Sequence, residues 1–463
     1  MDKIALLESR RKQAQSQNAS ALSFANGILD GASFVETDSF YFAGNDLVDN
    51  GTLFGEGVVC GSGTVGGIPV CLFVQNFDVM KGGLSKGQAD KILKCMDAAE
   101  SAGVPLLCVL HTAGARLGEG IRVLDSYAKV LKCLSEISGS IPVITVVKGE
   151  VYGAFSAFAG LSDFVFVLKE GVLASTSPAI LTAKAGKDPS KDFFAAKSLS
   201  ARGIASRVCK DVAALKADLT QFLDLLAGGV FDLPEAELNR TCVTLNKGYK
   251  AETVLTRVLD QGSFFELGAD AATEVRVGFA RLGGFRVGVA AFSDEAKELT
   301  AIGCRKISKL LRYCDVNEIP FLNFVNAKGF ATDLGEEDRL LAAQAELFET
   351  YALSDNLKIS LVTGEVSGSV YSALVSREMT SRAFAWATAS VSVLSGGQGA
   401  EIYFADEIAK AKDRDKARKT AAEKYAETEG DVFAAVQCGS IDEIVEPSHT
   451  RPYLISLLMQ AAE

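Results

Sequence analysis

A chain of 463 residues, 48% hydrophobic and 23% charged, is long enough for two or three domains, each able to bury a core. Its formal net charge of −11 argues against nucleic acid as the main partner, because phosphate binding needs a basic surface. No apolar run reaches the ~18 residues of a membrane span, and the polar N-terminus has no signal-peptide core, so a cytoplasmic protein is expected. Ten cysteines form no Cys-x-x-Cys pair and fall mostly in apolar segments, the pattern of buried free thiols. Two histidines, His111 and His449, are too few for a His-rich metal site or for a Ser-His-Asp triad built twice, and no metal is expected.

In chain order, residues 1–28 read as one helix with a basic start at Arg10-Arg11-Lys12. The phrase Leu29-Asp30-Gly31-Ala32-Ser33-Phe34-Val35-Glu36 follows, and it returns 230 residues later as Leu259-Asp260-Gln261-Gly262-Ser263-Phe264-Phe265-Glu266. From residue 63 the offset becomes 215, pairing Gly63 with Gly278, Lys91 with Lys306, Gly114 with Gly329 and Gly153 with Gly368. A repeat of this length means two copies of one domain, 1–235 and 236–463, with one extra loop of 15 residues near 42–57 in the first. Each copy predicts a hairpin around Gly66-Gly67 or Gly283-Gly284, an amphipathic helix, and a buried strand at 105–110 or 320–325. A glycine loop, a second helix and another apolar strand, 141–147 or 359–362, complete each unit. Strands alternating with helices imply parallel crossovers and an α/β fold, with ligands at the carboxyl ends of the strands. Residues 227–245 read as the linker, and a charged helix at 406–428 belongs to the second copy alone.

Both copies then carry the same turn. Lys148-Gly149-Glu150-Val151-Tyr152-Gly153-Ala154-Phe155-Ser156 matches Thr363-Gly364-Glu365-Val366-Ser367-Gly368-Ser369-Val370-Tyr371, each closing a strand and opening a helix. Small residues at a helix start leave backbone N–H groups uncovered with the helix dipole behind them, which is the material of an oxyanion hole. Glu150 and Glu365 recur in register, but a carboxylate near a helix N-terminus is favourable without any catalytic duty.

The order and spacing of these phrases, with Gly82-Gly83-Leu84-Ser85, Gly114-Ala115-Arg116, Gly396 to Glu401 and Ile441 to Arg451, resemble the carboxyltransferase component of biotin-dependent acyl-CoA carboxylases and decarboxylases. The resemblance runs from about residue 22 to the C-terminus and implies an α/β tandem duplication of a crotonase-like ββα superhelix domain. It implies an acyl-CoA substrate at the first copy, and at the second a carboxybiotin carried on a separate biotin carboxyl carrier protein. Each active site would form between the first copy of one subunit and the second copy of another in a homo- or hetero-hexamer, with biotin carboxylase or a decarboxylase complex as further partner. CO2 would pass between biotin and the carbon α to the thioester, with negative charge developing on the thioester oxygen and on the biotin urea oxygen. Carried over, the thioester hole would be the N–H groups of Gly153 and Ala154, and the biotin hole those of Gly368 and Ser369, with Val370. His111, Ala113, Gly114, Ala115 and Arg116 would line the CoA side, and Gly329 and Phe330 the biotin side. Arg116 could meet a CoA phosphate, although a structural ion pair is the simpler reading; His111 is read first as a structural or hydrogen-bonding residue and otherwise as one for substrate or acid–base chemistry.

The chain departs from the family pattern. His111 stands where Asp is usual, Ala113 where Gly is usual, and Asn326-Ala327-Lys328-Gly329-Phe330 replaces Asp-Thr-Pro-Gly-Phe. Phe194 and Ala195 replace a Gly-Gly, and Gly368-Ser369-Val370 replaces Gly-Gly-Ala. The alternatives that remain open are a decarboxylase subunit or a non-catalytic paralogue within a carboxyltransferase complex. No ATP-binding motif, Ala-Met-Lys-Met carrier sequence or four-cysteine ribbon is evident.

Overall fold

The computed structural model describes residues 2–43, 54–186 and 191–462. They form two compact units, Met1–Ala227 and Gly228–Glu463. In the first unit the expected N-terminal helix is two helices, α1 (Lys3–Gln17) and α2 (Ala19–Ile28). Asn18 divides them, because its buried amide donates to Ala14 O at 3.2 Å and to Phe54 O at 3.1 Å. Strands β1 (Val35–Thr37), β2 (Val58–Val65), β3 (Ile68–Gln75), β4 (Leu106–Thr112), β5 (Val143–Tyr152), β6 (Phe164–Leu168), β7 (Val172–Ala174) and β8 (Arg207–Cys209) build one sheet. Its order is β1-β2-β3-β4-β5-β6-β8, with β7 on the far end of β5. The first two pairings are antiparallel and the rest parallel, as crossovers through α3 (Lys86–Ala102) and α4 (Arg122–Ile137) require. The apolar stripe of α3 (Ile92, Met96, Ala99) and that of α4 (Val130, Leu134) bury against the strands in one core. Short helices α5 (Phe155–Leu161), α6 (Pro178–Ala185) and α7 (Ala196–Ala201) and the longer α8 (Val212–Leu226) complete the unit.

The second unit opens with α9 (Glu235–Leu238) and α10 (Ala251–Thr253). Strands β9 (Phe265–Leu267), β10 (Val275–Leu282), β11 (Phe285–Phe292), β12 (Lys297–Leu299), β13 (Phe321–Phe330), β14 (Lys358–Ser367), β15 (Arg382–Trp386), β16 (Ser390–Ser392) and β17 (Glu443–Val445) follow. Their order is β17-β15-β14-β13-β11-β10-β9, with β12 on β13 and β16 on β14. Apart from β12, they match the first sheet strand for strand. Helices α11 (Ala301–Val316), α12 (Glu337–Leu353) and α13 (Ser369–Leu374) take the places of α3, α4 and α5. The charged segment is two helices, α15 (Ala405–Lys410) and α16 (Arg414–Glu429), after α14 (Gly396–Tyr403); α17 (Val432–Gln437) and α18 (Thr450–Ala462) end the chain.

The hairpins correct the repeat register. β2 and β3 meet at Val65↔Ile68, and β10 and β11 at Leu282↔Phe285, an offset of 217 rather than 215. The counterpart of Gly278 is therefore Gly61, not Gly63. A Cβ on Gly61 would lie 2.2 Å from Val35 O and one on Gly278 2.1 Å from Phe265 O, so the same edge strand presses on both glycines. The single 15-residue loop expected near 42–57 becomes two insertions. Thirteen residues precede the hairpin, in a stretch of which 44–53 lies outside the described residues, and two fall between the hairpin and α3. The repeated Leu-Asp phrase clasps the hairpin: Asp30 accepts from the N–H of Gly66 at 3.1 Å and Gly67 at 2.8 Å, and Asp260 from Gly283 at 3.0 Å and Gly284 at 2.8 Å.

Candidate functional site

Both duplicated strands run further than their apolar cores predict. β5 continues to Tyr152 because residues 150–152 pair with β7, and β14 continues to Ser367 because residues 365–367 pair with β16. Each strand then turns at a glycine of positive φ, Gly153 at 74° and Gly368 at 62°, conformations that an L side chain rarely adopts. The glycine N–H is used inside the fold in both copies: Gly153 donates to Ala174 O and Gly368 to Ser392 O, each at 3.2 Å. Both glycine N–H groups expected in the donor sets are therefore already bonded within the fold. The open N–H groups lie one residue on, at Ala154 and Phe155 in the first turn and at Ser369 and Val370 in the second. As helix-start amides they have no intrahelical acceptor, and among the described residues no other backbone acceptor takes them.

A second glycine lies over each turn. A Cβ on Gly114 (φ 121°) would be 4.0 Å from Tyr152 O, and one on Gly329 (φ 106°) 3.8 Å from Ser367 O. Gly114 is fixed by Thr112, whose Oγ1 accepts from its N–H at 3.1 Å, and Ala113 is exposed with its N–H on Lys81 O at 2.9 Å. Ala115 bridges Leu84. Gly329 stands inside β13 rather than in a loop, and Phe330 beside it is buried.

Arg116 is not available to a CoA phosphate. The residue is 6% exposed, and its guanidinium spans Glu56 Oε2 at 3.0 Å, Glu56 O at 2.6 Å and Gly83 O at 3.0 Å. Glu56 also accepts from Ser85 Oγ at 3.1 Å and from Ala43 N at 2.8 Å. The fork therefore ties the glycine loop to the start of α3, and the ion-pair reading holds. Glu56 itself escaped the sequence reading. Its counterpart Glu274, which accepts from Thr300 N and Oγ1, is offset by 218 and so falls out of the 215 register.

His111 is a packing residue. Its ring stacks on Phe77 with centroids 4.1 Å apart and an interplanar angle of 12°. A Cβ on Gly149 would sit 2.5 Å from its Nε2, just as one on Gly364 would sit 2.2 Å from Oδ1 of Asn326, the matching side chain. The first glycine of each motif is thus required by the side chain that covers it. Burial and then nearby Lys148 push His111 down to about 4, against the pull of Asp78, so the ring is neutral at pH 7. Its Nδ1 is buried without a partner among the described residues.

The two recurring glutamates differ. Glu150 is exposed, whereas Glu365 is half-buried and its Oε1 has no partner among the described residues, nor has Ser367 Oγ. A buried polar atom left so costs about 1–3 kcal/mol unless something fills its bond. Burial raises the Glu365 carboxyl, while Lys328 and the Gly396 backbone N–H act the other way. Among the described residues no group of three or more His, Cys, Asp or Glu could hold a metal ion, and no helix is long and apolar enough to cross a membrane.

The carboxyl transferase domain family matches residues 18–462. The propionyl-CoA carboxylase beta chain of Saccharopolyspora erythraea is 30% identical, over 94% of this chain and 86% of that protein. The methylmalonyl-CoA carboxyltransferase 12S subunit of Propionibacterium freudenreichii subsp. shermanii is 28% identical over 96% and 89%. The methylmalonyl-CoA decarboxylase subunit alpha of Veillonella parvula is 29% identical over 94% and 88%. Among solved structures, the transcarboxylase 12S hexamer assembly with methylmalonyl-coenzyme A and methylmalonic acid bound superposes with a TM-score of 0.87, at 26% identity, covering 99% of this chain and 95% of that one.

Proposed function

This chain belongs to the carboxyl transferase domain family, and from that membership we propose that it is the carboxyltransferase subunit of a biotin-dependent system that moves CO2 to or from the α carbon of an acyl-CoA. The observation that carries the reading is the pair of turns with open N–H groups, at Ala154 and Phe155 and at Ser369 and Val370. The reaction places negative charge on two oxygens in succession, the thioester oxygen of the acyl-CoA and the urea oxygen of biotin, and each turn offers preorganised donors for one of them. The first turn is assigned to the thioester, in the unit where Ala113, Gly114 and Ala115 lie over it. With the thioester oxygen held by Ala154 and Phe155, the α carbon becomes acidic enough to exchange a proton or CO2. Removing one such donor typically lowers kcat by about 100–1000-fold.

The second turn is assigned to biotin on its carrier protein, which when bound supplies a ring nitrogen able to carry CO2. The local chemistry suits a small polar heterocycle: open Ser369 and Val370 donors, and Glu365 and Ser367 oxygens without partners among the described residues. Carboxylase, transferase and decarboxylase subunits all stand among the relatives, so the shared step is the transfer, and the partner enzyme sets its direction. An assembly like the 12S hexamer is supported by exposed leucines that follow Gly114 and Gly329 in the chain, Leu117 and Leu124 in one unit, Leu334 and Leu341 in the other. The test is transfer of labelled CO2 from a carboxylated biotin carrier protein to a panel of acyl-CoAs, alone and with the native partners. Product at one or more acyl-CoAs is expected; none across the panel would overturn the reading.

A further inference from the structure

We infer that Glu365 is the ligand-reading acceptor of the second site: its free carboxylate oxygen takes a hydrogen bond from a ring N–H of the cyclic urea whose carbonyl oxygen is bound at Ser369 and Val370. The inference rests on the assignment of that turn to biotin and adds the residue that recognises the ring.

Three independent features converge on Glu365. Its Oε1 is buried and unpartnered among the described residues, and so is Oγ of Ser367, two residues along β14. A strand places residues i and i+2 on the same side, so both buried oxygens lie on one side of β14, next to the Gly368 turn. The backbone there is regular, with Glu365 opposite Ser390 and Ser367 opposite Ser392 on β16. Neighbouring groups also fix the residue. Glu365 N–H donates to Asn326 Oδ1 at 2.8 Å, the Gly396 N–H at the start of α14 is directed at its carboxylate, and Lys328 faces it from β13.

None of this exists at the first turn. Glu150 is exposed, and Tyr152, opposite Ala174, stands where Ser367 faces Ser392. Pro178, the first residue of α6, occupies the place of Gly396 and has no N–H to give. Lys328 is replaced by Ala113. One copy of a duplicated turn has therefore gained a fixed acceptor, and a thioester has no N–H for it to meet. A cyclic urea does: its carbonyl oxygen needs donors, which the turn supplies, and the adjacent N–H needs an acceptor, which Glu365 supplies.

The test uses the intact protein and two small probes, 2-imidazolidinone and its N,N′-dimethyl derivative, which keeps the carbonyl and lacks both N–H groups. Binding is followed by ligand-detected NMR titration. The wild type is expected to prefer the N–H probe by about tenfold or more, the worth of a hydrogen bond to a charged group. Glu365→Leu should abolish the preference while leaving acyl-CoA binding unchanged, and Glu150→Leu should leave the preference intact. Equal binding of the two probes by the wild type, or an unaltered preference in Glu365→Leu, overturns the inference. If that happens while labelled CO2 still moves from carrier to acyl-CoA, the role of Glu365 fails and the carboxyltransferase assignment stands. If neither probe binds and no CO2 moves, both fail.

Discussion

The turn after β5 and the turn after β14 share a backbone and differ in almost everything that surrounds it. Positive-φ glycines, a glycine N–H donated to a short neighbouring strand, and a second positive-φ glycine lying over the turn are common to both. Around the first turn the neighbours are Ala113, a neutral His111 stacked on Phe77, and a buried Arg116–Glu56 fork. Around the second they are Lys328, Asn326 and a half-buried Glu365 whose Oε1 has no partner among the described residues. Duplication preserved the backbone of the turn, with two N–H groups that have no backbone acceptor among the described residues. Divergence acted on the side chains around it, and on the proposed function those side chains set which molecule each turn receives.

The comparison breaks most sharply at the fork. Arg116→Leu leaves Glu56 charged and buried, and the expected loss is about 3–5 kcal/mol of stability, read as a fall in the urea midpoint. The matching Ala331 in the second copy has no such partner to lose, so Ala331→Leu should do far less. A midpoint unmoved by Arg116→Leu would remove the fork from the fold's supports. Next in size, Gly153→Val meets no atom within 4 Å of its Cβ and projects into the open space over the turn, at the cost of a strained φ. Transfer to acyl-CoA should fall by about 100-fold or more while assembly size is unchanged. Full activity would dissociate the first turn from the reaction.

The pH response sharpens the comparison further. His111 is lowered in the fold to about 4, so the stability it lends is complete above its unfolded value near 6.5 and is lost as pH falls through the interval down to about 4. Between pH 7 and pH 5 about 2 kcal/mol should disappear. His111→Asn, which copies the second unit, should flatten that part of the pH–stability curve; an unchanged slope in the variant would mean that another group titrates. The smallest effect is expected at the hairpin clasp. Asp30→Ala loses two backbone partners and should cost about 1–2 kcal/mol. Asp260→Ala should cost more, because it also strips buried Arg451 of its carboxylate at 2.7 Å. Equal costs would show that Arg451 contributes nothing through that pair.

Much of this was legible in the linear chain. The duplication, the alternation of strands and helices, and the positions of both glycine turns follow from residue spacing, since glycine at a strand-to-helix turn and apolar runs of strand length are local demands. The ion-pair reading of Arg116 was available too. Local pattern could not reveal that Gly153 and Gly368 spend their N–H groups on β7 and β16, because that bond joins residues 21 and 24 positions apart. Nor could it find Glu56, which faces Arg116 from 60 residues away. The strict 215 offset also misaligned Gly63, because a two-residue insertion shifts a hairpin without altering its composition.

The sequence by itself therefore determined the class of the fold, its doubling and where each turn would come, all set by short-range backbone and burial preferences. Only the tertiary structure decided which amides remain open, which charges are already paired and which carboxylate oxygen has no partner among the described residues. Those are properties of groups brought together across strands and loops, where a hydrogen bond made in one place removes a donor from another.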